Sequence, residues 1–132
     1  NLTFLSSVLY QLGAFGELPA DIVDRTSEHR TAPPKAETPA YGQYLTSVFS
    51  CTMCHGIDFK GGKSPDAASP PCPDISAASA FGQWSNEDFR KAMRTGITPS
   101  GKELIPKFMP WQEYGRLDDT QLNAIKKSIG TY

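Results

Sequence analysis

The chain has 132 residues, with 13 Lys plus Arg against 14 Asp plus Glu, 11 Gly, 11 Pro and three Cys. That is one small domain with an extension, able to bury roughly two thirds of its unfolded surface. The near-neutral balance excludes a globally basic nucleic-acid binder, and an odd, small cysteine count excludes a disulfide scaffold.

Residues Leu2, Phe4, Leu5, Val8, Leu9, Leu12 and Phe15 fall on one arc of a helical wheel, opposite Thr3, Ser6, Ser7, Tyr10 and Gln11. The pattern predicts an amphipathic helix that ends near Gly13 to Gly16. Its polar side lacks Lys and Arg, which favours docking onto a protein partner or beside an anchor over anionic lipid. Folding back onto its own domain is the competing expectation. Glu17 to Lys35 has weak periodicity and finishes in Thr31-Ala32-Pro33-Pro34, a strap. A boundary near Ala36 divides the chain into an extension, 1–37, and a main domain, 38–132. No apolar run reaches the 18 or so residues of a membrane span, and a start at Asn1 suggests that an upstream segment is removed.

Thr38-Pro39 predicts an N-cap and first helical residue, followed by Tyr41, Tyr44, Leu45, Val48 and Phe49 at helical spacing and then Cys51. Gly61-Gly62 and the stretch Ser64 to Pro73 read as a long loop. Ser85 with Asp88 predicts a capping box before a helix from about Asn86 to Thr95, stopped by Gly96. Pro110 to Gly115 has room for one helical turn. Asp118 with Gln121 then starts a C-terminal helix through Leu122, Ile125 and Ile129 to Gly130. No segment alternates with period two, so the fold class is all-α.

Cys51-Thr52-Met53-Cys54-His55 has the Cys-x-x-Cys-His spacing of c-type haem attachment. Two thiols can add to the two haem vinyl groups, and the adjacent imidazole then reaches the iron from the same side. In a shuffled chain of this composition the pattern arises roughly once in a thousand sequences. A thioredoxin-like pair would want a βαβ setting, and a zinc site of Cys51, Cys54, Cys72 and a histidine would leave the placement of His55 redundant. Among candidate second axial ligands, Met53 sits inside the attachment loop and Met93 lies on an apolar helix stripe. Met109, 54 residues beyond His55, lies in the irregular segment Ile105 to Trp111, where a proline and aromatics can fix and shield a thioether.

Cys51 to Gly56, Pro73-Asp74-Ile75-Ser76, Trp84 to Gly96, Met109-Pro110-Trp111 and Leu117 to Leu122 together resemble a class I cytochrome c, similar to single-haem domains of bacterial respiratory complexes and membrane dehydrogenases. The resemblance covers about Ala40 to the C-terminus, with a weaker likeness around Gly16-Glu17-Leu18-Pro19. It implies one covalent haem c, His55 and Met109 on the iron, and a Pro73 carbonyl on His55 Nδ1. It also implies that Trp84, Arg94 and Trp111 lie near the haem, with Tyr44, Phe49, Leu122 and Ile125 in the core. Cys72, just before Pro73, departs from the usual pattern.

These features imply a one-electron carrier rather than an enzyme, serving redox protein partners such as a membrane respiratory complex or dehydrogenase. The implied location is periplasmic or on the outer face of the bacterial inner membrane, with peripheral membrane association through residues 2–15 as an option. The alternative is a haem enzyme or gas-responsive domain with a displaceable or Cys72 distal ligand. Lys60, Lys63, Lys102 and Lys107 flank the segments expected at the haem edge, where they are either solvated loop lysines or a docking patch for an acidic partner.

Overall fold

A computed structural model describes residues 4–14, 31–64 and 68–132. The chain divides into two compact units, Asn1–Thr31 and Ala32–Tyr132. Within the first, α1 spans Phe4–Gln11. Gly13 closes it at φ +71°, donating its N–H to the Tyr10 carbonyl while Ala14 donates to Leu9, the paired bonds of a Schellman stop. The expected outer ends of this helix, Leu2, Thr3 and Phe15, and the strap from Glu17 to Arg30 lie outside the described residues. No described helix is long and apolar enough to cross a membrane.

The second unit is built from α2 (Pro39–Val48), α3 (Cys51–His55), a 3-10 turn (Ala80–Gln83), α4 (Asn86–Thr95), α5 (Trp111–Tyr114) and α6 (Asp119–Ile129). The described residues contain only isolated β-bridges, Gly62 with Cys72 and Ile97 with Glu103, and no strand. The helix starts follow the sequence signals. Thr38 Oγ1 accepts the Tyr41 N–H at 3.3 Å with Pro39 next to it, and both capping boxes, Ser85 with Asp88 and Asp118 with Gln121, are fully formed.

The core lies where α2 crosses α6. Tyr41 and Leu45 pack with Leu122, Ala124, Ile125 and Ile129, and Phe59, Phe81, Phe89, Ala92 and Met93 complete the cluster. Gly42 makes the crossing possible, since a Cβ there would sit 2.0 Å from the Ala124 carbonyl oxygen. Helix backbones approach this closely only through a residue without a side chain. The division of the chain falls ahead of residue 37, and the segment before α2 is pinned to α6: Lys35 pairs with Asp118, and Glu37 accepts from Asn123 Nδ2 at 2.8 Å. One expected core residue is displaced. Tyr44 is 39% exposed and stacks on Tyr41 with ring centroids 6.2 Å apart, because its position on α2 turns away from α6. Phe49 is partly buried against the core, while Leu122 and Ile125 lie inside it.

Candidate functional site

The chain leaves α2 through Phe49 and Ser50, and Ser50 takes a left-handed backbone at φ +56° that redirects it into α3. Within this single helical stretch Cys51 and Cys54 are three residues apart and His55 follows four after Cys51, so one face carries all three side chains. His55 is buried at 8% exposure. Its Nδ1 lies 3.1 Å from the Pro73 carbonyl oxygen. A carbonyl only accepts, so Nδ1 carries the proton and Nε2 keeps its lone pair in the neutral ring. Burial holds the His55 pKa below the ordinary imidazole value, partly opposed by the bond to Pro73, which favours the neutral, metal-binding form.

All three cysteines are unpaired. Burial pushes the Cys51 thiol up to about 11, and burial followed by the neighbouring Cys72 thiol raises Cys54. Cys72 is held in the chain next to Pro73, close to the Cys54 thiol. Its N–H donates to the Gly62 carbonyl at 2.8 Å, and its own carbonyl accepts the Gly62 N–H at 3.0 Å. Among the described residues, no group of three or more His, Cys, Asp or Glu converges on a common metal position, so Cys51, Cys54, Cys72 and His55 do not form a four-coordinate zinc cage. Two free thiols and one oriented neutral imidazole on a single helical face are instead the donor set of a covalently held haem, which these residues fit.

A second segment approaches from the other end of the chain. Met109 is partly buried against the core. It is set in a tight turn, donating its N–H to Ile105 at 2.9 Å and accepting from Trp111 at 2.7 Å. Trp111 is anchored through Nε1 to the Leu104 carbonyl at 3.0 Å, and its ring lies where a Cβ on Gly96 would reach 2.4 Å. Tyr114 closes the segment, its ring edge-on to Phe49 at 5.8 Å. Burial raises the Tyr114 phenol pKa, followed by the Cys51 and Cys54 thiols. Tyr114 is therefore within electrostatic reach of Cys51 and Cys54. Of the other methionines, Met53 is 68% exposed and Met93 is buried at 5% in the core.

Trp84 is partly buried and tilted against Phe81 at 5.1 Å. Arg94 pairs with Asp119 on α6, and Arg90 joins the same carboxylate at 3.6 Å, so Arg94 fastens α4 to α6. Tyr114, Phe59 and Gly61 were not among the residues singled out from the sequence for this site. The pair Gly61-Gly62 was a visible signal, but in a Gly- and Pro-rich stretch it reads only as loop.

The family profile for cytochrome c matches residues 39–129. Among curated proteins, the chain is 30% identical over 118 residues to the fructose dehydrogenase cytochrome subunit of Gluconobacter japonicus, covering 81% of this chain and 24% of that protein. It is 32% identical over 96 residues to the cytochrome c subunit of the alcohol dehydrogenase (quinone) of Gluconobacter oxydans, covering 64% and 19%. With the gluconate 2-dehydrogenase cytochrome c subunit of Pantoea cypripedii it shares 29% over 94 residues, covering 64% and 21%. The chain thus spans about a fifth to a quarter of the length of these relatives. No solved structure matches it.

Proposed function

The chain belongs to the cytochrome c family, and on that premise we propose that it passes single electrons through one haem c held by thioether bonds to Cys51 and Cys54, with His55 and Met109 as the axial iron ligands. Bound haem supplies a reversible one-electron iron couple. The protein's part is to orient, shield and tune it. His55 offers Nε2 while the Pro73 carbonyl fixes its ring and increases its basicity. Met109 offers a thioether, which favours the reduced iron, from a turn fastened by Trp111 and Leu104. Trp84 is proposed for the propionate edge, whereas the guanidinium of Arg94 is engaged by Asp119.

The observation that carries this reading is the His55 Nδ1 to Pro73 bond, which leaves the second ring nitrogen as the ligating atom beside two unpaired thiols. The surroundings of Cys72 support the carrier over a thiolate-ligated haem enzyme or gas-responsive domain: it adjoins Pro73, whose carbonyl meets His55, and the Cys54 thiol. The relatives' names, as cytochrome subunits of dehydrogenases, support a dehydrogenase complex as the redox partner, and an extracytoplasmic membrane face is the location proposed with it. Residues 2–15 are proposed as the attachment to that complex or to its membrane. A truncation starting near Lys35 then keeps the haem spectrum and loses the association.

The test of the cofactor assignment is attachment. In the denatured holoprotein the haem is expected to travel with the polypeptide, and a haem that extracts into acidic organic solvent contradicts the proposal.

A further inference from the structure

The bond that orients His55 has its own support, built by residues 59–62. Gly61 donates its N–H to the His55 carbonyl at 2.8 Å. On its other side it lies against residues 72–73: a Cβ at Gly61 would sit 2.3 Å from the Cys72 carbonyl oxygen and 2.7 Å from the Pro73 carbonyl oxygen, the atom that holds His55. Gly61 adopts φ +73°, where a side chain is strained as well as obstructed. The residues flanking Pro73 are tied to the same knuckle, Cys72 by two hydrogen bonds to Gly62 and Ile75 by its N–H to the Phe59 carbonyl at 2.8 Å. Phe59 itself is 1% exposed, has a left-handed backbone at φ +58°, and packs edge-on against Tyr132 at 5.0 Å.

We propose that Gly61 is a positioning residue for the proximal ligand: its missing side chain lets the 59–62 knuckle clamp residues 72–75 so that the Pro73 carbonyl stays on His55 Nδ1, and this contact sets the reduction potential of the iron. The inference rests on His55 being the iron ligand. A hydrogen bond at Nδ1 makes the imidazole a stronger donor and so stabilises the oxidised iron. Displacing Pro73 weakens that donation and raises the potential.

Gly101 supplies the internal control. It too has a positive φ, +80°, yet a Cβ there meets nothing within 4 Å, and its N–H bonds within its own turn to the Thr98 carbonyl, so Gly101→Ala strains the backbone without touching the knuckle or Pro73. The experiment compares Gly61→Ala, Gly101→Ala and wild type as haem-loaded full chains, by redox titration and by the His55 Nδ1–H proton resonance. Gly61→Ala is expected to shift the electron-exchange equilibrium with a reference couple toward the reduced protein by roughly threefold or more, about 28 mV at 59 mV per tenfold. The Nδ1–H resonance moves with it, and Gly101→Ala stays at wild type in both. If Gly61→Ala yields no holoprotein, Phe59→Leu loosens the same knuckle through its Tyr132 contact and shifts the potential in the same direction by less. Equal shifts in the two glycine variants, an unmoved potential in Gly61→Ala, or an unmoved potential in Phe59→Leu where that variant is the test, overturns the proposal. A wild-type spectrum lacking histidine ligation overturns the assignment of His55 instead, so the two failures are separable.

Discussion

At the crossing of α2 and α6, Gly42 keeps ordinary helical torsions, and its missing side chain lets the Ala124 backbone come into contact. In the loop after α3, Gly61 is equally bare against the Cys72 and Pro73 backbone, but at a positive φ and between segments held by isolated hydrogen bonds. The first close approach is surrounded by the aliphatic core and acts on stability. The second is surrounded by loop and acts on the direction of one carbonyl. A glycine's role is thus decided by what its contact restrains, and the two sites respond differently to the same kind of substitution.

The largest effect is expected at the crossing. Gly42→Val forces two helices apart in a packed core, and overpacking of this kind costs about 3 kcal/mol or more. Chemical denaturation of the holoprotein measures it, and the haem spectrum of the folded fraction is expected to stay at wild type. Gly101→Ala, which carries only backbone strain at φ +80°, is expected to cost about 1 kcal/mol in the same assay. Ser85→Ala removes the cap of α4 from the Asp88 N–H and costs about 1 kcal/mol, with no change in potential because Ser85 touches neither ligand segment.

The smallest effect is a pH dependence shared by the two capping boxes. The Ser85 hydroxyl and then the Ser85 N–H hold the Asp88 carboxyl below its ordinary value of 3.8. Lys35 and then the Gln121 N–H do the same for Asp118. Both groups bind protons more weakly in the folded chain, so their stabilisation is complete above the unfolded value and is lost as pH falls below 3.8 through the folded values. Thermal midpoints are expected to decline across that acidic window, and to decline less in Ser85→Ala.

The same contrast explains what could be read from the sequence. Thr38-Pro39, Ser85 with Asp88 and Asp118 with Gln121 announce their helices because caps and apolar spacing are local, and Cys51 to His55 announces the haem because its chemistry fixes the spacing. Tyr44 was misplaced because periodicity assigns a helix its apolar positions without saying how wide the facing surface is, and the buried face of α2 holds only Tyr41, Gly42, Leu45 and Thr46. Phe59 gives no sign of its left-handed backbone, since nothing local selects φ +58° for a phenylalanine. Its conformation is imposed by Ile75 and Tyr132 from distant parts of the chain. Tyr114 was legible only as part of a short turn, because its link to Phe49 spans 65 residues.

Axial ligation by His55 and Met109 is tested most directly by the near-infrared sulfur-to-iron band of the oxidised protein, recorded for wild type, Met109→Ala and Met93→Ala. The account predicts the band in wild type and in Met93→Ala, which removes a core residue only, and its loss together with a lowered potential in Met109→Ala. A band that survives Met109→Ala, or a wild-type protein without the band whose spectrum changes on Cys72→Ser, would contradict it.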